Sequence, residues 1–177
     1  MEARQQSWPR VWLMTDERMG DRLWTAIARL PAGAGIVFRH YSLALGERAQ
    51  LARRVAETVR QRGITLAIAA DVELAQRVGA QLVHNPSSAT DLPFSCSVHN
   101  LQEAAAAGAA GAQLVFISPV HATRSHPGRK PLGPALAVGL AEAAGVPAIA
   151  LGGVNAANFP PLESEGFYGW AGIDAWM

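Results

Sequence analysis

The sequence lacks most of the features that mark a secreted, membrane-spanning or nucleic-acid-binding protein. Cys96 is the only cysteine, which excludes an intrachain disulfide. Charged residues make up 16% of the chain, the net charge is +1 and the basic residues are scattered, which excludes a basic patch for nucleic acid. No apolar run approaches the roughly 20 residues that cross a bilayer. The first residues also lack the apolar segment of a signal peptide. We therefore expect a cytoplasmic protein with a small-molecule partner and no membrane contact.

Apolar runs of strand length occur repeatedly along the chain. They are continuous rather than alternating, as expected of parallel strands buried on both faces. The runs are residues 11–14, 35–38, 65–69, 81–84, 94–98, 113–117, 147–151 and 168–173. Most are separated by helical patterns, at residues 21–30, 46–62, 71–78, 101–107 and 134–144. This alternation predicts a single α/β domain over residues 1–177 with a parallel sheet.

Two architectures fit this alternation, an open doubly wound sheet and a (β/α)8 TIM barrel. The glycine-rich fingerprint of the open sheet is absent after the first strand, which favours the barrel. The barrel is trimmed, because residues 85–92 leave little room for a fourth helix and Pro160 and Pro161 shorten the seventh. The sequence also stops soon after the eighth strand, without an eighth helix. We expect a homo-oligomer, most simply a homodimer, to cover the apolar wall near Phe167, Trp170 and Trp176.

Polar residues and glycines follow several of the predicted strands. In a barrel these strand ends carry the ligand-binding loops. Gly152 and Gly153 after the seventh strand are typical of a phosphate cradle, or serve only a tight turn. Ser97 and His99 after the fifth strand either contact a ligand or cap the next helix. The long loop after the sixth strand is polar, and a loop of this length is more often functional than idle. It contains Thr123, Ser125, His126, Arg129 and Lys130.

These motifs, in this order, resemble those of the thiamine phosphate synthase and TenI-like thiazole tautomerase superfamily over nearly the whole chain. The resemblance is carried by Met14-Thr15-Asp16, residues 78–84, the Ser-x-His segment at 97–99, the loop at 116–123, Pro131-Leu132-Gly133 and residues 148–154. It implies binding of a thiazole phosphate. In the synthases the second substrate is an aminopyrimidine pyrophosphate, whose pyrophosphate departs with help from Mg²⁺ and cationic side chains.

The resemblance also implies a set of site residues. The ligand or its phosphate would contact Arg39, Ser97, Thr123, Ser125, His126, Arg129, Gly152 and Gly153. In the tautomerase branch a histidine moves the proton. Its expected position is Pro119, so His99 and His121 are the nearest candidates for a catalytic residue.

The chain departs from the synthase pattern at the groups that handle charge. Ala70 and Ala89 replace the two metal-binding carboxylates, and only Asp71 and Asp91 lie near enough to substitute for them. The serine that would follow the eighth strand is Asp174, which repels a phosphate. Removing one charge-stabilising group typically costs about 10²–10³ in rate, so Mg²⁺-dependent synthase activity is doubtful.

Three hypotheses follow. The first is a divergent synthase or tautomerase of thiamine biosynthesis. The second is a non-catalytic barrel that binds a phosphorylated ligand or regulates, and has lost the metal carboxylates. The third is a phosphosugar isomerase barrel, but no strand-end Asp-x-Lys or comparable acid and base pair supports it. The sequence leaves the choice between the first two open.

Overall fold

Parallel strands close into a barrel in the computed structural model, which describes residues 7–123, 128 and 130–177. The strands follow the chain order around the barrel, and β1 pairs with β8 to close it. They are β1 Val11–Met14, β2 Gly35–Phe38, β3 Thr65–Ala69, β4 Leu82–His84, β5 Phe94–Val98, β6 Leu114–Ile117, β7 Ala148–Leu151 and β8 Gly169–Gly172. The prediction of a parallel eight-stranded barrel is confirmed.

Helices cover the outside of the barrel unevenly. They are α1 Arg22–Arg29, α2 Leu45–Arg60, α3 Val72–Val78, α4 Leu101–Ala109, α5 Pro134–Ala144 and α6 Pro160–Ser164. The segment between β4 and β5 has no helix, α6 has five residues, and β8 is followed by a 3₁₀ turn over Asp174–Trp176. The trimming at the fourth and seventh positions is thus confirmed. Within the described ranges, no helix has both the length and the apolar character needed to span a bilayer.

The interior of the barrel is filled by side chains from opposite strands. The rings of Trp12 on β1 and Phe116 on β6 meet edge to face, with centroids 5.5 Å apart. His84 on β4 contacts Phe116 in the same way at 5.1 Å. Because β1, β4 and β6 are not neighbours, these contacts lie inside the barrel and form an aromatic floor beneath the carboxyl ends of the strands.

The barrel wall beside β8 is covered by the chain itself. Trp176, in the terminal 3₁₀ turn, stacks on Trp170 with centroids 5.3 Å apart. Its indole N–H donates to the backbone oxygen of Trp12 at 3.1 Å. Phe167 and Trp170 are 2% and 6% exposed. The apolar gap that motivated the homodimer is therefore filled within one chain, and the oligomeric state stays a prediction without that support.

Candidate functional site

A cavity of about 440 Å³ opens at the carboxyl ends of the strands. Loops that follow β1, β2 and β4 to β8 contribute to its lining. Its wall includes five of the predicted ligand residues, namely Arg39, Ser97, Thr123, Gly152 and Gly153, and the catalytic candidate His99. These residues are far apart in sequence, and the barrel brings them to one end of the fold, as the strand-end argument predicts.

At Gly152 and Gly153 the loop after β7 packs against the loop after β6. Their φ angles are +95° and +64°, a region that side chains rarely adopt. A Cβ atom on Gly152 would lie 2.7 Å from the Cα of Pro119, and one on Gly153 would lie 2.6 Å from the carbonyl oxygen of Ala122. The backbones of the two loops are therefore in contact. Thr123, the residue after Ala122, lines the cavity.

Arg39 supplies a positive charge on the β2 side of the cavity. Its Nε donates to the backbone oxygen of Thr15 at 2.7 Å, and its Nη2 lies 3.5 Å from Oδ2 of Asp16. Burial lowers the pKa of Arg39 from its ordinary value, but an arginine remains protonated at neutral pH. Arg39 is thus a cation whose guanidinium group is held in place by the loop after β1.

His84 lies under the cavity as a neutral hydrogen-bonding group. Burial lowers the pKa of His84 to about 3, and the charge of Arg39 acts in the same direction. Its Nδ1 is 3.0 Å from Oγ of Ser95, and its Nε2 is 3.1 Å from Oγ of Ser97. A neutral imidazole has one donor and one acceptor, and both are used here. His84 therefore orients Ser97 and does not supply charge.

Asn85 fixes Ser97 from the other side. The backbone N–H of Ser97 donates to Oδ1 of Asn85 at 2.7 Å, and Nδ2 of Asn85 donates to Oγ of Ser97 at 3.0 Å. Asn85 has a φ of +47°, which asparagine tolerates better than most residues. The amide side chain extends the pairing of β4 and β5 beyond the strands, so Ser97 is held at three points.

His99 pairs with Glu103 at the start of α4. Nδ1 of His99 is 2.8 Å from Oε2 of Glu103, which also accepts the backbone N–H of His99 at 2.8 Å. Partial burial raises the pKa of Glu103, but the hydrogen bonds and charge of His99 together with the hydrogen bond from Asn100 outweigh it, so the net pKa lies below the ordinary value. Because Nδ1 is engaged by a carboxylate, Nε2 is the ring nitrogen left to exchange a proton. The N-cap of α4 is Asn100, so neither Ser97 nor His99 caps the helix, and both line the cavity.

The carboxylates proposed as metal ligands are not gathered in the cavity. Asp71 caps α3 through the N–H of Leu74 at 2.8 Å and pairs with Arg48 at 3.2 Å. Asp91 is exposed on the loop before β5. Neither lines the cavity, where Asp174 is the one carboxylate in the described wall. In the part of the chain that the structure describes, no cluster of three or more His, Cys, Asp or Glu residues is placed to hold a metal. This donor set does not fit the Mg²⁺ that the resemblance implies.

The remaining predicted residues lie elsewhere. His121 lines a separate groove between α5 and α6, with Asn158 and Glu165. The backbone N–H of His121 donates to the oxygen of Gly152 at 3.0 Å, and His121 does not line the strand-end cavity. Ser125, His126 and Arg129 lie outside the described residues. The candidate for proton transfer that the structure does bring into the cavity is His99.

Several lining residues were not predicted as ligand contacts. They include Met14, Tyr41, His84, Asn85, Ser118, Asn155 and Asp174. Asn85 carries a signal that could have identified it, because an asparagine directly after a strand is typical of a left-handed strand end. Tyr41 follows Arg39 by two positions on the same loop, so an alternating backbone directs both side chains to the same face.

Comparisons with known proteins agree on one family. A family model described as thiamine monophosphate synthase matches residues 11–176. The thiamine-phosphate synthase of Salinispora arenicola is 37% identical over 139 residues, which cover 71% of this chain and 66% of that protein. The thiamine biosynthesis bifunctional protein ThiM/ThiE of Symbiobacterium thermophilum is 33% identical over 161 residues, 84% of this chain. The chain spans about a third of that protein, 34% of its length.

Solved structures show the same fold. The thiamine phosphate pyrophosphorylase of Pyrococcus furiosus superposes with a TM-score of 0.80 at 21% identity. The match covers 94% of this chain and 86% of that one. At this identity the likeness concerns the barrel, and the chemistry has to be argued from the cavity itself.

Proposed function

The chain belongs to the thiamine monophosphate synthase family, and from this we propose that it binds a thiazole phosphate in the strand-end cavity and shifts a proton on the thiazole ring. The observation that carries the proposal is that one cavity is lined both by the Gly152-Gly153 turn with Thr123 and by His99. The first group suits a phosphate, and the second suits proton transfer.

The phosphate is assigned to the β7 side of the cavity. Loops after the seventh strand of a barrel recurrently bind phosphate through backbone N–H groups, which need close approach and therefore glycine. Gly152 and Gly153 meet that requirement, and the hydroxyl of Thr123 lies on the same wall. The thiazole ring would then extend toward Ser97 and His99 on the β5 side.

Proton transfer is assigned to His99. Histidine exchanges a proton near neutral pH, and a carboxylate on one ring nitrogen fixes the tautomer and the direction of the other. The contact of 2.8 Å between His99 and Glu103 supplies this arrangement. A tautomerisation neither gains nor loses atoms, because a proton leaves one ring atom and another is delivered to a second. It therefore needs no metal.

A second candidate is transfer of the aminopyrimidine group to thiazole phosphate. It is favoured by two relatives above 30% identity, those of Salinispora arenicola and Bacillus velezensis, which are named thiamine-phosphate synthases. The reaction has to stabilise a departing pyrophosphate, and the described wall offers Arg39 together with the opposing charge of Asp174. The donor set therefore supports the proton transfer better. A barrel that only binds the phosphate is the remaining alternative.

The test is calorimetric titration of the protein with thiazole phosphate and with aminopyrimidine pyrophosphate, each in Mg²⁺ and in EDTA, followed by product assays. We expect thiazole phosphate to bind in EDTA, and nuclear magnetic resonance to show interconversion of the thiazole carboxylate phosphate tautomers. The His99→Gln variant should bind but not convert, whereas Gln102→Ala, next to the dyad and exposed, should do both.

Other outcomes select the alternatives. Formation of thiamine phosphate in Mg²⁺ would establish the synthase and overturn the tautomerase. Binding of thiazole phosphate with no conversion by either assay would leave a binding protein. If neither compound binds, the assignment to thiazole phosphate is wrong.

A further inference from the structure

We propose that Asp174 is a specificity-determining residue that makes the cavity select monophosphates and reject diphosphates. The inference deepens the proposed function, because it rests on the same phosphate position beside Gly152 and Gly153. It concerns charge selection at that position, and it does not depend on which reaction follows.

Asp174 lies where the phosphate would be bound. It begins the 3₁₀ turn directly after β8, and β8 pairs with β7, whose end carries the Gly152-Gly153 turn. Asp174, Gly152 and Gly153 all line the cavity. A carboxylate that shares this cavity with the neighbouring turn acts on any anion bound there in a partly desolvated space, where charges interact more strongly than in water.

The turn that carries Asp174 is held in place by packing. A Cβ atom on Gly172 would lie 2.9 Å from the Cβ of Ala175, so the turn lies close against the end of β8. Two residues after Asp174, the ring of Trp176 stacks on Trp170 and its N–H donates to Trp12. The backbone at Asp174 is thus anchored on both sides, and the carboxylate keeps its place near the β7 turn.

The formal charges of the residues that line the cavity cancel in the described part of the chain. Arg39 contributes a positive charge to the wall and Asp174 a negative one, while His84 is neutral because burial lowers its pKa to about 3. Arg18 near the β1 side interacts with two carboxylates: its hydrogen bond with Asp16 raises the pKa of Arg18, and the charge of Asp174 acts in the same direction. Its charge is therefore already shared.

This balance penalises ligands in proportion to their charge. The repulsion from a fixed carboxylate grows with each negative charge that the ligand carries. A monophosphate ester has fewer charges than a diphosphate and can keep them at the Gly152-Gly153 turn. A diphosphate has to place its additional charges in a wall whose net charge is close to zero. Removing the charge of Asp174 should thus help a diphosphate more than a monophosphate.

The experiment measures dissociation constants of inorganic phosphate and pyrophosphate in EDTA by calorimetry. Asp174→Asn removes the charge with little change of shape. Asp174→Ser removes the charge and also shortens the side chain. Glu57→Gln, an exposed carboxylate on α2, is the matched control for loss of one negative charge. We expect Asp174→Asn to strengthen pyrophosphate binding about tenfold and phosphate binding about threefold, with Glu57→Gln unchanged.

The outcomes separate this inference from the proposed function. If the unmodified protein binds thiazole phosphate but the pyrophosphate-to-phosphate ratio is the same in Asp174→Asn, the inference is wrong and the proposed function stands. If thiazole phosphate does not bind but the pyrophosphate-to-phosphate ratio changes as expected in Asp174→Asn, the proposed function is wrong and the inference about Asp174 stands. If pyrophosphate binds more tightly to the unmodified protein than to Asp174→Asn when Mg²⁺ is added, Asp174 recruits a cation and the inference is overturned. Failure of every variant to bind pyrophosphate also overturns it.

Discussion

Nδ1 of His99 lies 2.8 Å from Oε2 of Glu103, and the same oxygen accepts the backbone N–H of His99. Asn100 completes the contact, because its side chain accepts the N–H of Glu103 at 2.9 Å and donates to Oε1 at 2.8 Å. This is a variant of the capping box at the start of α4, in which Glu103 accepts the N–H of the residue before the N-cap. One carboxylate thus begins the helix and also aims the imidazole into the cavity.

The two roles of Glu103 can be separated by substitution. His99→Gln should lower kcat of the proposed proton transfer by about 10²–10⁴ and leave KM nearly unchanged. Glu103→Ala should lower kcat through the loss of orientation and also destabilise the fold by about 0.5–1.5 kcal/mol, because the backbone N–H of His99 loses its acceptor. Glu103→Gln keeps an oxygen that can accept both N–H groups and should recover most of the stability. Steady-state kinetics and urea unfolding check these values; an unchanged kcat in His99→Gln would remove His99 from the chemistry.

Gly153 should be required for binding because two loops touch at its Cα. Gly153→Ala would place a methyl group 2.6 Å from the carbonyl oxygen of Ala122 and force the loops after β6 and β7 apart. Gly145 at the end of α5 has the same φ of +64°, with open space around its Cα. Gly145→Ala therefore shares the cost of a left-handed alanine, about 1 kcal/mol, without the clash. We expect thiazole phosphate binding to weaken at least tenfold in Gly153→Ala only, and equal binding by both variants would contradict the loop contact.

Arg48 should contribute to stability and not to binding. Its guanidinium donates to the backbone oxygens of His40 and Ala69 at 3.1 and 2.8 Å and pairs with Asp71 at 3.2 Å, and the residue is 6% exposed. Arg48→Met would leave buried acceptors without donors and should cost about 3 kcal/mol of unfolding free energy. Arg53→Met on the exposed side of the same helix should cost less than about 0.5 kcal/mol. Denaturant unfolding measures both, and a loss below 1 kcal/mol for Arg48→Met would show that water replaces the guanidinium.

Most strands were predictable because they are continuous apolar runs bounded by polar residues or glycine, whereas β5 is interrupted by Ser95 and Ser97. The same property placed Arg39, Ser97 and His99 at one end of the barrel, since residues just after parallel strands meet there. The strands and the grouping of these residues were both predicted from local sequence patterns, because the barrel fold determines where such segments lie in space.

Three features of the site depend on contacts between distant segments, which a single sequence does not show. Asp71 was a candidate metal ligand until its partner Arg48, on the preceding helix, was located. Trp176 closes the wall near β8 by stacking on Trp170. His121 lines the separate groove between α5 and α6, and its backbone N–H donates to the oxygen of Gly152. In each case the neighbours in sequence predict one role for the residue, and a contact with a distant segment gives it another.

Buried His84 should make the protein less stable as the pH falls. Burial lowers the pKa of His84 from 6.5 to about 3, so the unfolded chain binds a proton that the folded chain does not. The contribution is fully favourable above pH 6.5 and is lost as the pH falls toward 3, with a limiting slope of about 1.4 kcal/mol per pH unit. In His84→Gln the slope of the unfolding free energy against pH should be smaller by about this amount between pH 5 and 6. Ser95→Ala, which removes the partner of Nδ1 but keeps the imidazole buried, should lower stability at every pH and keep the slope. Urea unfolding at several pH values decides the matter, because an equal slope in His84→Gln and the unmodified protein would mean that His84 is protonated in the folded state.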